Sequence, residues 1–236
     1  PPLPWDRNYI EEQAYPYTGF YASAAVDPLT DRLYIAHLET SGYDLKFAYS
    51  VEPGAGNCGE GKEFYCSFVD QQGRVGAHLS MDIDVVSSNL FPLLKFTHIG
   101  IAYLDLDNNA IKYASAVVSR LSPNPAWKII TVFKQTNPTL SIGRYGIVLK
   151  YIPGTGEPVI AFHESWVDKT VPIDAGYVAV FRPVDPGTGN SGPEKEFFQE
   201  VVSYSQTDSF YGRVMDMDVS YDGKIQLVWV DRLPQK

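Results

Sequence analysis

Apolar residues alternate with small or polar ones in short runs along this chain, and Gly, Pro, Asn and Asp bound the runs. A period of two marks half-buried β-strands. No stretch holds helical spacing for three turns, so the pattern predicts an all-β fold.

One phrase recurs four times: an aliphatic residue, a small or aliphatic one, a ring, any residue, then an acid. It reads Ile35-Ala36-His37-Leu38-Glu39, Ile101-Ala102-Tyr103-Leu104-Asp105, Ile160-Ala161-Phe162-His163-Glu164 and Leu227-Val228-Trp229-Val230-Asp231. The acids lie 66, 59 and 67 residues apart, a spacing that indicates a repeat architecture. Upstream of each phrase a glycine (Gly19, Gly76, Gly143, Gly212) opens a strand-like run, strand A, with the phrase itself as strand B. After the first three copies come strand C (45–48, 111–114, 177–180) and a strand D that starts from an aromatic residue (64–69, 127–133, 197–202). Asp107-Asn108-Asn109 reads as a tight hairpin, since Asn and Asp tolerate positive φ.

Four antiparallel strands per unit, repeated radially, make a β-propeller blade. The expectation is a single propeller domain over 1–236, with four units visible. Residues 5–11 read as a strand D without its A, B and C, so 1–18 would supply strand D of the closing blade, which lacks a strand C. For the missing strand C three alternatives stand: it lies beyond Lys236, the blade closes with three strands, or the chain is a segment of a larger propeller.

Composition narrows the classes. The chain has 236 residues, 44% hydrophobic and 14% aromatic, enough for one sizeable β domain. No apolar run approaches the length of a membrane helix. A formal charge of −9 with no Lys/Arg cluster excludes a nucleic-acid role. Cys58 and Cys66 flank a glycine-bearing loop entering a strand D. Two thiols cannot make a four-ligand zinc site; the preferred reading is a local disulfide and an oxidising, secreted or cell-surface location, against two buried free thiols.

The segment Cys58-Gly59-Glu60-Gly61, Phe64, Cys66, Val69-Asp70, Val75-Gly76, Ser80-Met81-Asp82-Ile83-Asp84, His98-Ile99-Gly100-Ile101-Ala102-Tyr103-Leu104-Asp105 and Ile111-Lys112-Tyr113-Ala114 resembles the repeat of bacterial secreted BNR-like β-propeller proteins. The match is close over 58–115 and looser elsewhere, and Phe64 stands where tryptophan is usual. The resemblance implies a propeller and a secreted protein; it assigns no activity.

Candidate chemistry is sparse. Glu39, Asp105, Glu164 and Asp231 would ring one face, where glycosidases collect paired carboxylates; because the repeat preserves them, a structural role is preferred. Aligned on the opening glycines, Asp82 and Asp218 share a position filled by Ala25 and Leu149 elsewhere, and Asp216 falls with Ser23, Ser80 and Ile147. Asp82, Asp216 and Asp218 are thus candidate catalytic or cation-binding acids on inner strands. Arg144 and Arg213 follow their glycines and could share a rim that binds a carboxylate, and Trp166 could stack on a sugar or a protein. Histidines are scattered, and 105–109 only echoes the start of a calcium loop, so no cofactor is expected and calcium is the one cation left open. The expectation is a non-enzymatic extracellular binding or assembly module, a subunit of something larger, docking a protein or surface glycan. A glycoside hydrolase or sialidase-like enzyme and a lectin are the alternatives.

Overall fold

A computed structural model describes residues 21–229 apart from 89–90, 92, 120–121, 123, 137–140, 168–173 and 206–214, with only the backbone at 141–145, 164–167, 174–176 and 204–205. The described residues form strands, turns and loops, with no helix among them. The N-terminal strand D, Arg213 and Asp231 lie outside them.

Sheet 1 is β1 (Ala22–Val26), β2 (Leu33–Glu39), β3 (Asp44–Ser50) and β4 (Phe64–Asp70), paired in that order. Sheet 2 is β5 (Val75–Ser87), β6 (Lys95–Asp105), β7 (Ala110–Val118) and β8 (Lys128–Lys134). Sheet 3 is β9 (Ser141–Ile152), β10 (Glu157–Val167), β11 (Asp174–Pro183) and β12 (Phe197–Ser205). β13 (Met215–Val219) and β14 (Ile225–Trp229) pair as a two-stranded sheet 4. Every neighbouring pair is antiparallel. The first strand of each sheet lies against the first strand of the next: β1 on β5, β5 on β9, β9 on β13.

The repeated phrase is apolar on both sides because its strand is buried on both sides. Ile99, Ile101 and Tyr103 of β6 pack with Tyr34, Phe47 and Met81 in the core between sheets 1 and 2. The alternate residues Ala102 and Leu104 join Leu149, Phe162 and Phe181 between sheets 2 and 3. A third cluster, with Val148, Val159, Met217 and Val219, joins sheets 3 and 4. Successive side chains of one strand thus serve two different cores.

Gly100 leaves room for the second core. A Cβ there would sit 2.6 Å from the Tyr151 hydroxyl and 2.9 Å from the Tyr113 ring. Those two tyrosines, both buried, hydrogen-bond to each other at 2.8 Å.

Candidate functional site

Strand register, rather than glycine spacing, fixes which residues are equivalent. Ser23, Ser80, Val148 and Asp216 each stand opposite the second residue of the repeated phrase. Two positions on, Ala25, Asp82, Lys150 and Asp218 correspond. In sheet 3 this departs by one residue from the glycine alignment, which put Ile147 and Leu149 there. The cause is the bulges: the β5–β6 ladder absorbs two extra residues between its glycine and the matched position, and β9–β10 absorbs three.

At these positions side chains of one sheet bind backbone of the next. The Ser23 hydroxyl accepts from the Met81 amide at 3.1 Å. Ser80 accepts from the Leu149 amide at 3.1 Å, and Asp82 accepts from the Tyr151 amide at 2.9 Å. Asp84 accepts at 2.8 Å from both Gly154 and Gly156 in the β9–β10 turn, where both glycines have positive φ. The matching Asp27, 1% exposed, accepts from the Leu29 amide and the Thr30 hydroxyl and reaches Thr97 of sheet 2 at 3.1 Å. Burial raises the Asp82 carboxyl above its ordinary range, against its hydrogen bonds from Tyr151 and Ile83 and the nearby Lys150 ammonium. The carboxylate is a fastener between β5 and β9.

The strand-B acids that are described are likewise engaged. Asp105, fully buried, accepts from the Asn108 amide and side chain, each at 2.9 Å, and pairs with Lys112 at 2.9 Å. Lys112 also pairs with Asp70 at 3.0 Å, and Tyr103 donates to Asp70 at 2.8 Å. Burial would raise the Asp105 carboxyl, but Lys112 and Asn108 outweigh it and hold it below its ordinary value. Glu39 accepts from the Ser41 and Gly42 amides at 2.9 Å. Only the backbone is described at Glu164, Arg144 and Trp166. Asp107, in the segment that echoes a calcium loop, is held by the Arg74 amide and guanidinium. No group of three or more metal-ligating side chains occurs among the described residues. Asp216 and Asp218 differ from the rest: both are exposed, and each accepts from the amide of the residue after it, at 2.9 Å.

The cysteines form a disulfide, Cys58–Cys66. A second copy of its loop, which the strand-based reading of the sequence passed over, lies two sheets away. Pro53-Gly54, Gly56-Asn57 and Lys62-Glu63-Phe64 recur as Pro186-Gly187, Gly189-Asn190 and Lys195-Glu196-Phe197. The geometry recurs too. Asn57 bonds the amide and carbonyl of Cys66 at 2.6 and 3.0 Å, and Asn190 bonds those of Gln199 at 2.6 and 3.1 Å. Gly56 and Gly189 donate to the carbonyls of Lys62 and Lys195, and a Cβ at either glycine would strike the carbonyl of Phe64 or Phe197. Where Cys58 bonds Cys66, Ser191 instead donates to the Val132 carbonyl of sheet 2. An open cleft of about 780 Å³ adjoins the first loop, lined by Thr30, Asp31, Arg32, Glu52 and Ala55 among others; Arg32 lies over the Tyr49 ring at 5.3 Å.

Comparison with family models, with curated proteins and with solved structures returns no match. The reading of function rests on the geometry above.

Beside exposed charges such as Asp216 and Asp218, the described surface carries apolar patches. At the β5–β6 turn Leu93 is 99% exposed and Phe91 67%, with Leu94 beside them. The outer strands expose Tyr65 and Phe68 on β4 and Phe198, Val201 and Val202 on β12. None of the described residues forms a helix long and apolar enough to cross a membrane.

Proposed function

We propose that this protein is a non-enzymatic binding or assembly module of the extracellular space or cell surface, built as a β-propeller of the BNR-like kind. The propeller reading is supported by the first strands of four successive sheets lying against one another in chain order. The disulfide supports an oxidising location.

The observation that carries the functional reading is the use to which the acids are put. Asp27, Asp82, Asp84, Asp105 and Glu39 direct their oxygens at backbone amides, hydroxyls or Lys112. A glycosidase needs two carboxyl groups facing one substrate-sized gap, one raised to hold a proton and one ionised. Acids already serving as acceptors inside the fold are poorly suited to that work. The exposed Phe91, Leu93 and Leu94 suit docking to an apolar site on a protein, because contiguous exposed apolar side chains mark interaction surfaces.

The test is a panel of chromogenic glycosides and a fluorogenic sialoside, assayed from pH 4 to 8, with a glycan array beside it. No turnover above the blank and no glycan retention are expected. Turnover abolished by Asp82→Asn or Asp216→Asn would establish the hydrolase alternative, and selective glycan binding would establish the lectin.

A further inference from the structure

Sheet 4 carries the acceptors for a neighbour. In β5 the Asp82 carboxylate holds two amides, that of the following residue Ile83 and that of Tyr151 on the next sheet. Among the described residues, the matching Asp218 of β13 holds only the first of these, the Val219 amide, at 2.9 Å through Oδ1. Asp216, at the place of Ser80, likewise holds only the Met217 amide among the described residues. Both side chains are exposed. The β13 edge is thus a half-filled copy of the fastening by which β5 holds β9.

The complementary half is at the other end of the array. In the register that places Met81 and Leu149 as donors to Ser23 and Ser80, the corresponding residue of β1 is Ala24. Val26 stands where Tyr151 donates to Asp82. Ala22, Ala24 and Val26 are all exposed, Val26 at 59%. One molecule therefore presents an acceptor edge on β13 and a donor edge on β1, neither covered by another described residue. Two molecules arranged head to tail about a two-fold axis would cover all four edges, and heterologous contacts of this kind close when the rotation permits.

We propose that β13 binds β1 of a second copy of this chain, with Asp216 and Asp218 accepting from the amides of the partner's Ala24 and the partner's Val26, so that two copies close one ring. This rests on the assembly-module reading and names its partner. With −9 on each copy, association strengthens as salt screens the repulsion.

Sedimentation equilibrium and light scattering across micromolar to submillimolar protein test it. The expected result is a monomer–dimer equilibrium ending at twice 26.3 kDa. Asp216→Ala with Asp218→Ala is expected to weaken the dimer about tenfold or more by removing two charge-assisted acceptors, with an unchanged circular dichroism spectrum. Ala24→Pro, which deletes the donor on the opposite edge, is expected to do the same. Separately tagged Val26→Cys and Asp218→Cys proteins, mixed and oxidised, should form a heterodimer. A monomer at every concentration, growth beyond the dimer, a dimer indifferent to both edge variants, or a crosslink formed only within a Val26→Cys/Asp218→Cys double variant would each overturn the proposal. Failure here with glycosidase and glycan tests still negative would leave the assembly-module reading standing; turnover in those tests would remove the reading itself.

Discussion

At the scale of single residues, the ion cluster around Lys112 decides more than any exposed charge. Lys112 is 13% exposed and bridges Asp70 and Asp105, at 3% and 0%. Removing the cation strands two buried carboxylates, so Lys112→Met is expected to lose about 3–5 kcal/mol of stability at neutral pH, read by urea denaturation. The acid limb of stability follows from the same neighbourhood. Burial pushes the Glu39 and Asp105 carboxyls up, but amide donors and the Lys46 and Lys112 ammoniums outweigh it and hold both low. Groups held low in the fold lend stability that is complete above their ordinary values of 4.5 and 3.8 and drains away as pH falls through the lowered ones. Asp82 acts oppositely: raised by burial, it costs the fold something once ionised. Thermal melts are expected to be level above about pH 5 and to fall below pH 4, and Glu39→Gln is expected to make that fall shallower.

At the scale of elements, the two matched loops form an internal experiment. The loop before β12 adopts the path of the disulfide loop before β4 with serine and glutamine where the cysteines stand. The asparagine bridge and the glycine turns therefore suffice to shape it, and the covalent bond acts mainly on the unfolded chain. Cys58→Ser with Cys66→Gln is expected to keep the fold and lose about 2–3 kcal/mol, the loop-closure value for a short loop; differential scanning calorimetry reads it, and reductant should then have no further effect. The strands themselves were legible in the sequence, because a strand with two buried faces, such as 99–104, leaves an apolar run with an alternating size pattern. The bonds between sheets were not. They join residues about seventy apart, such as Asp82 and Tyr151, and depend on bulges that shift the count by one, which no local pattern records. For that reason Asp82 reads, with Asp216 and Asp218, as a candidate catalytic or cation-binding acid, and the twin loop is hidden because its matched residues lie in connections that carry no strand periodicity.

At the scale of the whole molecule, the joints between sheets are unequal. Sheets 1, 2 and 3 are held by apolar cores and by the acceptors on β1 and β5. Between sheets 3 and 4, Val148 and Lys150 stand where Ser80 and Asp82 would be, and the joint shown is the apolar cluster of Val148, Met217 and Val219. Hydrogen exchange of the monomer is expected to be fastest in β13 and β14 and slowest in β5 and β6; uniform protection across all four sheets would contradict the ranking.

The fastening between sheets also has a direction. Most of the acceptors are particular side chains of the earlier sheet, Ser23, Ser80, Asp82 and Asp84, which meet main-chain amides of the later one, with Thr97 and the Gly154 and Gly156 turn as the more specific receivers. Compatibility between neighbours is therefore demanded more of the earlier unit than of the later one. A gene that duplicates, deletes or shuffles whole units must preserve the outgoing half of each junction most closely, so more of the incoming half can drift without the array coming apart.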